Sequence, residues 1–320
     1  MSDPLGVLES CRFVAERSEK VHIDQEAVGR FCRELVGRGV EVPSWDFQHH
    51  FFDGTERTVN WLLVLDGLNF CFWPEPRWEI EYEGERLRGY FALAASLKRA
   101  VEEGFPLLDA EHLRNISLSE LAHIFQGRGE IPLLEERLRI LRELGEVLSE
   151  KYGGRACSLV EKAGKRAADL ARGLVEDFPS FRDEALYRGH GVRFYKRAQI
   201  FVADLYWSFG GKGWGDLAGM EELTVFADYK LPQVLREAGV LKYGLELAEK
   251  VDGRVPLTAG GQEEVEIRAN TVWAAELIRR SLAEMGVSLR AFELDCILWS
   301  MSKGEGFRAR PHHRVLTTFY

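Results

Sequence analysis

The stretch "FADYKLPQVLR", Phe226 to Arg236, gathers an acid, a phenol, a base and an amide around a proline. Asp228 directly follows an apolar run, and Pro232 restricts the backbone just beyond it. That arrangement suits a carboxylate held rigidly by the chain. A rigid carboxylate can stabilise developing positive charge, or orient and deprotonate a water molecule. This segment alone leaves the role of Asp228 open, and the rest of the chain has to supply it.

Four other segments carry groups able to meet a ligand. In "VRFYKRAQIFVADLYW", Lys196 and Asp204 stand eight residues apart. At about 100° per residue they fall on roughly one helix face, two turns apart. The competing reading is a partly buried helix whose charges pair locally. In "FELDCILWSMS", Asp295 and Trp299 have i,i+4 spacing and share a face if the segment is helical. A carboxylate beside an indole suits a purine-like base, one group accepting N–H donors while the ring stacks. The plainer alternative is a helix turning one acid to solvent.

"VLDGLNFCFWP" crowds Asp66, Asn69, Phe70, Phe72 and Trp73 together, as a planar heterocycle would require. An aromatic core plug explains it better, since such clusters are usually core. "WDFQHHF" offers His49 and His50, but adjacent histidines point about 100° apart on a helix and make poor metal ligands. A surface or loop position is expected for them, with one able to hydrogen-bond a ligand. Glu266 and Arg268 in "EVEIR" could form a structural ion pair, and Arg314 near the C-terminus could clamp a carboxylate, both reading more readily as structural than as catalytic.

Some chemistries lack their motifs. The chain has no G-x-x-x-x-G-K-[ST], no strand followed by G-x-G-x-x-G, no G-x-S-x-G and no H-E-x-x-H. "GGKGWGD" follows a helical pattern and reads as a loop. The five cysteines are scattered without a C-x-x-C pair, which disfavours a zinc site or disulfide framework and fits a reducing compartment. No metal and no organic cofactor is expected.

The elements that must position these groups are mostly helical. Apolar residues recur at helical spacing in "PLGVLESCRFVAERS", "QEAVGRFCRELVGRG", "GYFALAASLKRAVEEG", "SLSELAHIFQG" and "PLLEERLRILRELGEVLSEKYGG". The same holds for "SLVEKAGKRAADLARGLVEDF", "VRFYKRAQIFVADLYWSFGG", "LPQVLREAG", "GLELAEKV" and "IRANTVWAAELIRRSLAEMG". One convincing hairpin, "RWEIEYEGERLRGYF", alternates about a Glu-Gly turn. No linker, repeat or low-complexity run interrupts the 320 residues, so a single mainly α domain over 1–320 is expected.

At 46% hydrophobic the chain can bury a sizeable core, and its net charge of -9 gives no general attraction for duplex nucleic acid. No apolar run reaches membrane-spanning length, and the acid-bearing N-terminal segment does not read as a signal peptide. A soluble, cytoplasmic protein is expected.

Taken together, "VNWLLVLDGLNFCFW", "FPSFRD", "FYKRAQIFVAD", "FADYKLPQVL", "EVEIR", "LDCILW" and the closing "PHHR" with its terminal tyrosine resemble the queuosine salvage protein family. The resemblance covers nearly the whole chain, and seven pieces in one order are highly specific. It implies a mainly α fold similar to the helix-hairpin-helix DNA glycosylases, acting on free queuosine 5′-phosphate to release queuine. It also implies that Asp228 is the catalytic carboxylate and that His49, Phe226 and Asp295 bind the base. Two positions depart from the family pattern. Ser300 stands where an acid is common, which bears on one contact to the base's side chain. Lys230 stands where arginine is common, which keeps the charge but loses a bidentate fork.

The residues agree with this placement. Cleaving an N-ribosyl bond builds positive charge on the sugar, which a carboxylate can stabilise. Asp295 can accept the two N–H donors of a 7-deazaguanine edge, while Phe226 and Trp73 or Trp299 supply stacking. For the ribose and 5′-phosphate the candidates are Lys196 first, then Tyr195, Arg197 and Tyr229. A DNA-lesion glycosylase and a non-catalytic binder of queuine or queuosine are the alternatives. The first is disfavoured by the acidic charge. The second would not need Asp228.

Overall fold

Some helix starts are set by side chains that satisfy the otherwise unpaired terminal backbone groups. The computed structural model describes residues 2–307 and 309–320. The elements begin with α1 (Val7–Ala15), β1 (Val21–Ile23), α2 (Gln25–Arg38), α3 (Glu56–Gly67), β2 (Glu79–Tyr82) and β3 (Glu85–Arg88). Next come α4 (Gly89–Glu102), α5 (Ala110–Asn115), α6 (Leu118–Ile124), α7 (Leu134–Tyr152), α8 (Ala156–Lys162) and α9 (Ala167–Asp177). The chain continues through β4 (Glu184–Tyr187), β5 (His190–Arg193), α10 (Lys196–Ser208), α11 (Lys230–Glu237) and β6 (Leu241–Tyr243). It ends with α12 (Leu245–Asp252), α13 (Gln262–Glu284) and α14 (Ala291–Met301). Asp24 caps α2 by accepting the Ala27 N–H, Ser117 and Glu120 form a reciprocal capping box on α6, and a left-handed Gly153 ends α7. The fold is mainly α with three small antiparallel strand pairs among the described residues, as expected.

Two compact units alternate along the sequence. One comprises Met1–Pro43, Asp183–Gln199 and Gly219–Leu316. Its centre is α13, buried on several faces between Glu264 and Ile278, with α1, α2, α11 and α14 packed around it. Such burial gives a helix little amphipathic contrast. Strand β1 pairs with β6, and β4 with β5, both antiparallel.

The other unit comprises Ser44–Arg182, Ile200–Ala218 and Thr317–Tyr320. There α7 packs against α3, α5, α6 and α8, and the β2–β3 hairpin packs on α4. Arg137 is fully buried, donates to the carbonyls of Leu68, Phe70 and Pro132, and lies against the rings of Phe70 and Phe72. The "VLDGLNFCFWP" cluster is thus largely core, organised around one guanidinium. The segment before it is α3, a helix buried from Trp61 to Gly67 whose continuous apolarity hid its period.

Four local expectations are corrected. The run 158–178 is not one helix, because Gly164 and Lys165 take positive φ (58° and 55°) and separate α8 from α9. The helix expected from Val192 begins at Lys196, since residues 190–193 form β5 and Tyr195 is left-handed at φ 50°. The hairpin at 79–88 is present, but β4 and β5 form a second, turning at Arg188 and Gly189 with φ 51° and 81°. Both turns have the two positive-φ residues of a primed turn. Finally, His49 and His50 lie in a turn as expected, but both are buried.

Candidate active site

Asp228 ends a buried run that starts at Leu223, and its side chain accepts the first N–H groups of α11. Oδ1 accepts the N–H groups of Lys230 (2.7 Å) and Leu231 (3.0 Å). Pro232 sits in the first turn of α11, where a missing N–H costs nothing. The aspartate and the proline therefore work together to start the helix and lock the carboxylate. Oδ2 has no hydrogen-bond partner among the described residues.

Burial pushes the Asp228 carboxyl above the usual carboxylate range. The strongest opposing influence is the positive charge of Lys196, followed by the two backbone N–H groups and then Lys230. The result is a desolvated but oriented carboxylate, with one oxygen anchored and one available. That state suits a general base or an electrostatic stabiliser of a cation.

The backbone leading into this carboxylate is tied down from two helices. The Phe226 N–H donates to Asp295 Oδ1 on α14 (2.6 Å). The Ala227 carbonyl accepts from Arg268 Nε on α13 (2.9 Å). Arg268 also donates through both terminal nitrogens to the two Asp183 oxygens, at 2.8 and 2.7 Å, and both residues are 2% exposed. Its guanidinium carbon lies 3.9 Å from the Phe194 ring centroid.

Asp183 in turn holds the start of α10. Oδ2 accepts the Lys196 N–H (3.2 Å), and the Asp183 carbonyl accepts the N–H groups of Phe194 and Tyr195. The expected Glu266–Arg268 pair is corrected, because residues two apart point to opposite sides of a helix. Glu266 instead accepts the N–H groups of Glu19, Lys20 and Val21 and the Tyr187 hydroxyl.

Lys196, Asp228, Phe226, Asp295, Tyr195, Arg197, Tyr229, Trp299 and Ser300 all belong to one unit. Lys196 is 4% exposed, and Arg197 is buried beside it. The Tyr195 hydroxyl donates to Glu184, and burial raises its pKa above the ordinary phenol value. The half-buried Tyr229 stacks on His312, their ring centroids 4.6 Å apart and their planes at 34°. The Trp299 ring carries Lys303 Nζ at 3.7 Å. Ser300 is exposed and lines a hollow of about 530 Å³ with Glu34, Arg38, Glu237 and Met301.

His49 belongs to the other unit. Its Nδ1 bonds Asp46 Oδ2 at 2.7 Å, which fixes the ring and leaves Nε2 as the group able to meet a ligand. That Nε2 is buried, makes no hydrogen bond among the described residues and lies 3.6 Å from the Glu85 carboxylate. Trp73 lies in the same unit and is half-buried.

Reading single segments missed the Arg268–Asp183 bridge and the stacking of His312 on Tyr229. A signal was present: Asp183 closes "FPSFRD", Arg268 closes "EVEIR", and His312 lies in "PHHR".

The family model for the queuosine salvage protein matches residues 49–320. A protein of Sphaerobacter thermophilus is 49% identical, with both chains covered in full. One of Mus musculus is 38% identical, again over the full length of both. One of Schizosaccharomyces pombe is 31% identical over 93% of this chain and 91% of the relative. Each of the three bears the name queuosine 5′-phosphate N-glycosylase/hydrolase.

Proposed function

The chain belongs to the queuosine salvage protein family, and we propose that it hydrolyses the N-glycosidic bond of queuosine 5′-phosphate, releasing queuine. The observation that carries this reading at the site is Asp228, a buried carboxylate with Oδ1 fixed by two backbone N–H groups and Oδ2 without a hydrogen-bond partner among the described residues. As the bond from C1′ to the base lengthens, the ribose becomes oxocarbenium-like and Asp228 Oδ2 stabilises its charge. Water attacks C1′ as the bond to the base breaks, and Asp228 orients it and takes its proton. That proton returns through solvent to the departing base nitrogen, giving queuine and ribose 5-phosphate.

In this reading Asp295 accepts donors of the deazaguanine edge, with Phe226 and Trp299 against its faces. Ser300 lies toward the base's side chain. Lys196 binds the 5′-phosphate as a compact charge, with Tyr195, Arg197 and Tyr229 around the ribose and phosphate. The substrate is a free nucleotide, and duplex nucleic acid is not a partner. No described helix is long and apolar enough to cross a membrane, and we place the protein in the cytoplasm.

The test is incubation with queuosine 5′-phosphate and, separately, with lesion-bearing duplex DNA, followed by chromatography of the released base. Free queuine from the nucleotide alone is expected. Base release only from DNA would replace this reading with a lesion glycosylase. Tight nucleotide binding without release would replace it with a carrier.

A further inference from the structure

We propose that the buried Arg268–Asp183 pair is a positioning device that sets the spacing between Asp228 and Lys196, a role resting on the reading of those two residues given above. The pair sits in the interior of its unit, where bringing two charges out of water is costly. Apolar residues of similar volume often serve stability as well as such a pair does. What apolar residues cannot reproduce is the set of hydrogen bonds the pair makes beyond itself.

Those bonds go to two particular places. Arg268 Nε is spent on the carbonyl of Ala227, the residue immediately before Asp228. Asp183 Oδ2 is spent on the backbone N–H of Lys196, the first residue of α10. The Asp183 carbonyl adds bonds to Phe194 and Tyr195, holding the chain that leads into α10. The guanidinium rests on the Phe194 ring of the same approach. One planar ion pair therefore joins the backbone of the carboxylate to that of the lysine.

Geometry explains why these residue types serve. A guanidinium presents two parallel N–H bonds to a carboxylate and still has Nε–H for a third acceptor, all in one plane. A lysine at 268 would keep the charge but could not hold Asp183 in a fork and Ala227 together. Moving C1′ by about 1 Å relative to the catalytic group can cost roughly 10²-fold in rate. A nucleotide is located at both ends, by its phosphate and at its anomeric carbon. It therefore feels a change in this spacing more than a nucleoside located at one end.

The experiment compares wild type, Arg268→Lys and Asp183→Asn on queuosine 5′-phosphate and on the unphosphorylated nucleoside. It records kcat, KM and the melting temperature of each. For Arg268→Lys the expectation is a fall of about 10- to 100-fold in kcat on the nucleotide. The nucleoside should lose much less, so the nucleotide-to-nucleoside preference shrinks in the folded protein. Asp183→Asn should move the preference the same way. A pair that serves only stability would lower the melting temperature and leave both kcat and the preference of the folded fraction unchanged. That result overturns the proposal, as does failure of both variants to fold. Wild-type protein inactive on the nucleotide would instead overturn the functional reading beneath it, so the two failures are distinguishable.

Discussion

Asp295 and Phe226 meet through a 2.6 Å hydrogen bond, the carboxylate on α14 accepting the backbone N–H two residues before Asp228. An acid expected to recognise a base thus also holds the segment that carries Asp228. The two roles can be separated by substitution. Asn retains an oxygen for the Phe226 N–H but loses the charge, whereas Ala leaves a buried N–H unpaired. Asp295→Ala should lower stability by about 1–3 kcal/mol, the cost of that orphaned donor, and Asp295→Asn by less. Both should weaken queuine binding in calorimetry. If Asn binds queuine as well as wild type does, Asp295 is an anchor for the segment and nothing more.

Asp228 carries an opposing burden, because burial disfavours its ionised form. A carboxyl whose folded pKa lies above its ordinary value of 3.8 destabilises the fold as pH rises through that raised value. Asp228→Asn keeps a side chain able to cap α11 and removes the buried charge. It should melt higher than wild type at neutral pH, with the gain vanishing as the pH falls to about 3.8 and below. Turnover of queuosine 5′-phosphate should fall by about 10²–10³, the loss typical of one catalytic electrostatic group. A variant that melts no higher, or that turns over like wild type, would remove Asp228 from this role.

Much of this arrangement was legible in the sequence, and the unread part has a common cause. Asp228 stood out because its cap and its helix lie within a few residues, "DYKLP". Helices α2 and α7 were visible because one face is wet and gives a period. Helix α3 carries no such contrast, being buried from Trp61 to Gly67. The β4–β5 hairpin escaped notice because its residues are short of apolar alternation, with only Tyr187 and Val192 buried. The Arg268–Asp183 bridge spans 85 residues, and no local pattern reports which of several acids an arginine will reach.

His50 offers a check on the other unit that involves no substrate. Its Nδ1 meets the Asp46 carbonyl at 2.7 Å, its Nε2 meets the Tyr90 hydroxyl at 2.8 Å, and burial pulls its pKa down to about 4. The ordinary value is 6.5, so between pH 6.5 and about 4 the unfolded chain takes up a proton that the folded chain refuses. Stability from this group is therefore complete above 6.5 and is lost as the pH falls toward about 4. Thermal melts across that window should show a steeper decline for wild type than for His50→Gln. Parallel curves would mean that His50 ionises within the folded state.

The last prediction turns on Lys196, which has two separable effects. Its charge is the strongest influence holding the Asp228 pKa down, ahead of the N–H groups of Leu231 and Lys230 and the charge of Lys230. In the proposed function it also binds the 5′-phosphate. Removing it should therefore do two things to the reaction. On the nucleotide, Lys196→Ala should lower kcat/KM by more than on the nucleoside, because only the nucleotide uses the lysine for positioning. On the nucleoside no phosphate is present, so only the electrostatic effect remains. Loss of the cation lets burial raise the Asp228 pKa further, and a base with a higher pKa becomes ionised only at higher pH. The acid limb of kcat/KM for the nucleoside should then move to higher pH in Lys196→Ala, and Lys196→Arg should restore its position. An unmoved limb would show that Asp228 does not feel this charge. An unchanged nucleotide preference would show that the phosphate is bound elsewhere. The two readouts test the two effects independently, so either can fail while the other stands.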